Sequence, residues 1–355
     1  MIEIDGSLGE GGGAVLRTAL ALSAVSCRRI QIQNIRARRP NPGLAPQHLR
    51  GVEALVKLTG GGVEGAKLRS QKLTFEPSEI RGGRFRVDIG TAGSTTLILQ
   101  ILMPAAAFAR EPLEVEIIGG TDNPFAPPID YLANITLPTL RRMGYCGEVE
   151  RVRRGHYPRG GGIIRAHIRP VEKLEGLELI EPGEVVAIRG ISHAVRLPAP
   201  IATRQAHAAK RELLKAGYTA EVKTESYERG RDPHLGPGTG ITLWAETENG
   251  AIIGSSSLGK RGKPAEQVGR EAARGLIKQL RTDRAVDRWL TDQLVPYLTL
   301  ADGTSEITSA ELTSHALTNF ELVEKILGVK FEVKGELGEP GRVRVRGLGL
   351  KREPS

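Results

Sequence analysis

The sequence predicts an α/β (α+β) chain whose larger part is three β-α-β-α-β-β repeats, sheets packed around helices, with a smaller α/β domain inserted. Three observations carry this. Short aliphatic segments of strand length and longer apolar-periodic segments of helix length follow one another in a single recurring order. Two helix entries also share a turn, because Asn41-Pro42-Gly43-Leu44-Ala45-Pro46 matches Asn123-Pro124-Phe125-Ala126-Pro127-Pro128 and proline is favoured where a helix starts. Finally, residues 184–280 break the period and carry a pattern of their own.

The first unit reads as a strand ending at Ile4, a helix over 12–25, a strand over 30–35, a helix over 46–59 and strands over 62–68 and 73–75. The second repeats that order with a strand over 85–89, a helix over 94–109, a strand over 113–118, one helix over 128–143 and strands over 145–153 and 163–168. A third appears near the C-terminus as a helix over 284–298, a strand over 305–308, a helix over 313–327 and strands over 330–334 and 342–346. The intervening stretch reads as a strand over 185–192, a helix over 202–216, strands over 220–226, 241–246 and 251–255, and a helix over 265–280. The expected division is therefore a large domain of residues 1–183 with 281–355, and an inserted small domain of residues 184–280.

Composition narrows the class. At 355 residues the chain exceeds the size at which one core usually stops growing. The balance of 50 Lys+Arg against 41 Asp+Glu gives +9, which suits a polyanionic partner without requiring one. Cys27 and Cys146 have no metal-ligand spacing, so a disulfide framework is not expected and a reducing, cytoplasmic setting is. Charge at Glu3 and Asp5 excludes a signal peptide at the first residues. The most apolar stretch, 95–109, is interrupted by Gln100 and Pro104 and reads as a buried helix rather than a membrane span.

Candidate chemistry starts in Asp5-Gly6-Ser7-Leu8-Gly9-Glu10-Gly11-Gly12-Gly13, which runs into the first helix. A helix opening on such a loop presents free N–H groups to an anion, unless the loop is only a tight turn. Neither the dinucleotide nor the P-loop spacing fits it. Arg17, Arg36, Arg38 and Arg39, with Gln47 and His48, interrupt otherwise apolar elements nearby, as a phosphate pocket would; a solvated surface patch is the alternative. Glu10 suits either a divalent cation bridging phosphates or a helix N-terminal cap. In Asp232-Pro233-His234-Leu235-Gly236-Pro237-Gly238 the histidine reads as a solvated loop residue, with a functional role as the alternative.

The most specific local pattern is Arg154-Gly155-His156-Tyr157-Pro158-Arg159-Gly160-Gly161-Gly162, followed by aliphatics. This R-G-x-x-P-x-G-G-G run resembles the RNA 3'-terminal phosphate cyclase family. So do Asp5 to Gly13, Pro42-Gly43-Leu44 with Gln47-His48-Leu49, Gly119-Gly120-Thr121-Asp122-Asn123-Pro124, Trp289-Leu290-Thr291-Asp292-Gln293 and Ser314-His315-Ala316-Leu317-Thr318-Asn319. The match runs in order over nearly the whole chain.

The resemblance implies an enzyme that uses ATP and a divalent cation, Mg2+ or Mn2+, to convert an RNA 3'-phosphate to a 2',3'-cyclic phosphate, releasing AMP and pyrophosphate. A histidine is adenylylated first, AMP passes to the RNA end, and the 2'-hydroxyl closes the ring; the matching histidine is His315. Gln100, Trp289, Leu290, Thr291, Asp292 and Gln293 match positions that bind the adenine nucleotide, and Pro127 and Tyr131 match adenine contacts. Relatives often carry Tyr where Trp289 stands, and the larger ring is still able to stack on a base. Glu10 matches the metal position, and Arg17, Arg36, Arg39, Gln47 and His48 match residues that handle phosphate. Independently, a neutral imidazole with a pKa of roughly 6.5 keeps a lone pair able to attack phosphorus, and a helix start favours the charge that develops there.

Two other readings differ in class. A non-catalytic relative serving RNA binding or ribosome assembly would lack the nucleophile, whereas His315 is present. An enolpyruvyl-type transferase would have no reason to keep Gln47 and His48 together with His315. Expected partners are ATP and RNA with a 3'-phosphate end, without a membrane; a homodimer is compatible with the sequence.

Overall fold

The computed structural model describes residues 1–228 and 230–352. The first unit is β1 (Ile2–Asp5), α1 (Gly13–Ser26), β2 (Ile30–Gln33), α2 (Pro46–Thr59), β3 (Gly62–Glu64) and β4 (Leu73–Glu76). β1 pairs parallel with β2, β4 runs antiparallel to both β2 and β3, and the sheet order is β1-β2-β4-β3.

The second unit is β5 (Gly83–Asp88), α3 (Thr95–Ala106), β6 (Leu113–Gly119), α4 (Ile129–Tyr131), a π-helical turn (Leu132–Thr136), α5 (Leu137–Arg141), β7 (Cys146–Arg153) and β8 (Gly162–Arg169), with sheet order β5-β6-β8-β7. The single helix expected over 128–143 is thus interrupted. Pro138 has no N–H to give Asn134, and the Leu137 N–H reaches back five residues to Leu132 O instead.

The third unit opens on β9 (Glu178–Leu179), a two-residue strand that the sequence did not signal. The chain then leaves through β10 (Val185–Val195), α6 (Pro200–Lys215), β11 (Glu221–Ser226), β12 (Gly238–Thr247), β13 (Ile252–Leu258) and α7 (Ala265–Leu280). It returns with α8 (Arg288–Leu300), β14 (Thr304–Ser309), α9 (Ser314–Leu327), β15 (Phe331–Lys334) and β16 (Gly341–Arg346). β9 pairs parallel with β14, and the sheet order β9-β14-β16-β15 repeats that of the other two units. The extra segment therefore enters inside the third unit, after its first strand. It forms its own sheet, β11-β10-β12-β13, covered by α6 and α7. Those helices approach closely enough that a Cβ on Gly269 would lie 2.1 Å from Gln205 O. The apolar cluster there, including Ile188, Leu213, Leu243 and Leu276, is separate from the main one.

In each unit the first helix is apolar nearly all round and is buried accordingly. α1 buries 11 of its 14 residues, α3 buries 11 of 12 and α8 buries 10 of 13. Leucines at 0% exposure, such as Leu20, Leu102 and Leu294, tie these three helices into one core, each resisting truncation to alanine by roughly 2–5 kcal/mol. The second helices are more amphipathic; α2 buries His48, Val52, Leu55 and Leu58 on one face. The stretch around 95–109 is thus core, and no helix among the described residues is long and apolar enough to cross a membrane.

Candidate active site

A site forms where α1 meets α3 and α9, with α8 packed on α9. The loop entering α1 needs glycine on steric grounds. Gly9 and Gly11 hold φ of +56°, and a Cβ on Gly13 would lie 2.4 Å from His48 Nε2. α1 then begins at Gly12 with no side-chain cap and no acid in its first turn, so its leading N–H groups are left to an anion. α9 starts differently: Thr313 Oγ1 accepts from the Ala316 N–H at 3.2 Å, which fixes the turn carrying Ser314 and His315.

Glu10 joins the two helix starts. Arg39 Nη2 donates to its Oε2 at 3.3 Å and Ser314 Oγ to its Oε1 at 3.0 Å, while His315 Nε2 lies 3.3 Å from Oε2. Arg38 Nη1 donates to Gly9 O at 2.7 Å and braces the loop. The side chains of Glu10 and His315 remain 46% and 39% exposed, so a ligand reaches both. Partial burial pushes His315 below the ordinary histidine pKa, Glu10 opposes that, and Arg17 and Arg39 add to it. His315 is therefore neutral at pH 7, with a lone pair available.

Behind this pair, the three core helices bring one polar side chain each to a common point. Arg17 of α1 donates from Nε to Gln100 Oε1 of α3 at 3.0 Å, and Asp292 of α8 is the opposite charge it feels. Both charged groups keep some accessible surface yet are enclosed on most sides. Burial lowers Arg17 to about 10 against Asp292, and raises Asp292 to about 7 against Arg17, with Asp287 pushing Asp292 the same way. Asn319 of α9 locks the arrangement, accepting from Thr18 Oγ1 at 2.9 Å and donating to Asp292 O at 3.1 Å.

His48 is buried, at 4% exposure, behind Gly13. Burial, then Arg17 and Arg36, press its pKa to about 3, so it is neutral. Gln47 Oε1 accepts from the Ser94 N–H at 2.7 Å and links α2 to the start of α3. Arg36 Nη1 donates to Asn41 O and Gly43 O at 2.9 and 2.8 Å, holding its own loop.

The expected nucleotide set divides. Trp289 is 39% exposed with the Arg288 guanidinium 5.5 Å over its ring, and Gln100, Asp292 and Pro127 also keep open surface. Tyr131, Leu290 and Thr291 do not, at 2%, 0% and 1%, and the direct contact expected of them is closed off by the core. Tyr131 instead donates its hydroxyl to Asp287 Oδ1 at 2.6 Å; Asp287 in turn caps α8 by accepting from Trp289 N and Leu290 N at 2.9 Å. Thr291 Oγ1 donates to Asp287 O at 3.0 Å. Gln293 donates from Nε2 to the Trp289 backbone carbonyl at 2.8 Å and accepts from Thr136 Oγ1 at 3.1 Å. These residues shape the wall whose face Trp289 presents.

Sequence reasoning missed Asp287, Ser314 and Asn319 as contributors. Asp287 sits two residues before Trp289, where an N-cap acid belongs, and Ser314 and Asn319 flank His315 at helix spacing. His234 also departs from expectation. It is 2% exposed rather than solvated, with Nδ1 2.7 Å from Asp232 Oδ1. Two surface clefts lie elsewhere, one over the β5–β8 sheet beside Arg84, Glu116 and Arg165, the other beside Glu181, Arg284 and Lys334; neither includes Glu10 or His315.

A neutral histidine set against a carboxylate, with arginines behind it and an uncapped helix start in front, has the charge and the free N–H groups that suit a phosphate. The pattern of the RNA 3'-terminal phosphate cyclase family matches residues 8–333. An RNA 3'-terminal phosphate cyclase of Methanopyrus kandleri is 50% identical, covering 98% of this chain and 99% of that one. One from Pyrococcus furiosus is 51% identical over 97% and 98%. Among solved structures, an EPSP synthase from Acinetobacter baumannii matches at 11% identity and a TM-score of 0.30, covering 98% of this chain and 65% of that one. The chain belongs to the RNA 3'-terminal phosphate cyclase family, and with it to the enzymes.

Proposed function

We propose that the chain converts an RNA 3'-phosphate to a 2',3'-cyclic phosphate at the expense of ATP, through an AMP adduct on His315. The observation that carries this reading is the approach of His315 Nε2 to Glu10 Oε2 at 3.3 Å, between the starts of α1 and α9. The neutral imidazole forms a P–N bond to the α-phosphorus of ATP as the P–O bond to pyrophosphate breaks. An oxygen of the RNA 3'-phosphate then displaces the imidazole from AMP. The 2'-hydroxyl oxygen attacks the 3'-phosphorus, loses its proton to solvent, and AMP departs. Arg17, Arg36 and Arg39 carry positive charge toward the phosphates, and the free N–H groups of α1 receive an oxyanion. Gln47 and His48 set the geometry behind them. Trp289 offers its face to the adenine, with Pro127, Gln100 and Asp292 around it and Tyr131, Leu290, Thr291 and Gln293 supporting that wall.

The half-exposed Glu10 carboxylate fits Mg2+ or Mn2+, since such ions combine one or two protein carboxylates with substrate phosphates and water. When bound, the ion neutralises charge on the phosphate oxygens. In this reading residues 1–183 with 281–355 form the catalytic domain and 184–280 a smaller inserted one, supported by the insert's own sheet and its own apolar cluster, although Trp244 and Ala251 of the insert pack into the main one. The enzyme works in the cytoplasm on RNA ends.

The test is incubation with α-labelled ATP and no RNA. Label should remain on the protein through an acid-labile, alkali-stable bond, as a phosphoramidate requires, and His315→Ala should abolish it. The fold should persist, because a partly exposed side chain outside the core costs roughly 0.5 kcal/mol or less. AMP mapped to another residue, or retained by His315→Ala, overturns the assignment; absence of label from the unaltered chain supports the non-catalytic reading instead.

A further inference from the structure

A second buried group of titratable side chains lies far in sequence from Glu10 and His315, where the second unit meets the β10–β13 sheet. Arg154, at 0% exposure, donates from Nη1 to Asp122 Oδ2 at 3.2 Å and from Nη2 to Asp130 Oδ2 at 2.6 Å and Glu225 Oε2 at 2.8 Å. Arg151 adds a second guanidinium, 3.3 Å from Asp130 and 3.0 Å from Glu225. Two cations face three carboxylates. The guanidiniums are thus one positive charge short of the carboxylates they face.

The histidines converge on one carboxylate without hydrogen-bonding to it. His156 Nε2 and His193 Nε2 lie 3.2 Å apart, and they stand 4.0 Å from Asp122 Oδ2 and Oδ1 respectively. A proton shared between the rings satisfies only that one contact. It leaves the Asp122 oxygens out of hydrogen-bond reach of both rings. A tetrahedral ion with bonds near 2.0–2.1 Å holds its ligand atoms roughly 3.3–3.4 Å apart; the two imidazoles already stand at 3.2 Å, and the carboxylate, at 4.0 Å from each, closes on the ion by a shift of well under 1 Å.

We propose that Asp122, His156 and His193 bind a divalent transition-metal cation of the zinc class, which ties the β10–β13 sheet to the second unit. Two imidazoles and one carboxylate favour such an ion over Mg2+. The outer supports are in place: Thr121 Oγ1 donates to Asp122 Oδ2 at 2.6 Å and Arg154 holds both carboxylate oxygens. The fourth position falls to water. The site shares no residue with the cation position at Glu10.

The test uses the full chain stripped by a chelator, with Zn2+ uptake measured by elemental analysis and Co2+ by its visible spectrum. One Zn2+ per chain should bind, Co2+ should give a tetrahedral spectrum, and the melting temperature should rise with Zn2+. Glu10→Gln should keep all three behaviours; His156→Gln and His193→Gln should lose them. The proposal is overturned if the stripped chain takes up no stoichiometric Zn2+, or if both histidine variants, folded by circular dichroism, bind it as the unaltered chain does. Where His193→Gln fails to fold, His156→Gln alone decides.

Discussion

His48 gives a measurable handle on how the proposed phosphate pocket is charged. Its pKa, near 6.5 in the unfolded chain, is pressed to about 3 in the fold by burial and by Arg17 and Arg36. Between those values the unfolded chain binds the proton that the folded chain refuses, so stability is full at neutral pH and is lost as pH falls below 6.5. At pH 4.5 the proton is almost fully bound in the unfolded chain and almost absent from the folded one, a penalty of about 2.5 kcal/mol relative to pH 7 at 1.36 kcal/mol per unit. His48→Gln removes this titration while keeping a polar group behind Gly13. Urea unfolding of both proteins at pH 7 and pH 4.5 isolates it, because the other buried histidines contribute equally to each. The variant should lose about 2.5 kcal/mol less than the unaltered chain on acidification. Equal losses would refute a neutral His48, and with it the view that the arginines alone carry the pocket's positive charge.

Two further outcomes address the ligands. Glu10→Ala should leave the melting temperature nearly unchanged, since Glu10 is a half-exposed loop carboxylate, yet slow self-adenylylation sharply in single-turnover measurements; full activity removes Glu10 from the site. Asp292 stands at about 7, so if it accepts from the adenine amino group within the proposed nucleotide wall, AMP binding weakens as pH falls through 7, where the carboxylate gains a proton. Calorimetry between pH 6 and 8 should show that fall in the unaltered chain and a flat, weaker profile in Asp292→Asn, and a flat profile in both removes Asp292 from the base contact.

Local patterns in the sequence located most of the fold and only part of the site. α2 was bounded at 46–59 because Pro46 starts it and Gly60, at φ +60°, ends it. β9 carried no signal, since two residues cannot display a period and its partner β14 is more than a hundred residues away. The interruption before Pro138 was likewise hidden, because apolar periodicity continues across a π turn. At the site, residue types singled out the arginines, Gln47, His48 and Glu10 that the fold brings near one another, but whether Tyr131 or Trp289 is exposed depends on burial set by distant elements. Asp287 decides it by capping α8 and taking the Tyr131 hydroxyl, which leaves the indole outward.

The interior prolines show how repeated units build an asymmetric centre. A proline inside a helix costs roughly 3 kcal/mol because it frees the carbonyl four residues earlier. α3 carries Pro104 four residues after Gln100, and α8 carries Pro296 four residues after Asp292. The freed Asp292 carbonyl receives the Asn319 amide at 3.1 Å, so α9, which bears His315, is fastened to α8 at the level of the Asp292 side chain. The N–H that Pro296 lacks leaves that carbonyl without its ladder partner, and the Asn319 amide takes the place. In the third unit the freed group binds α9, the helix that carries His315. α1 has Ala21 rather than proline four residues after Arg17, and Arg17 reaches Gln100 through its side chain instead. The three core helices thus bring a cation, an amide and an acid together, and this difference in side chain, laid on a common backbone order, makes the centre asymmetric.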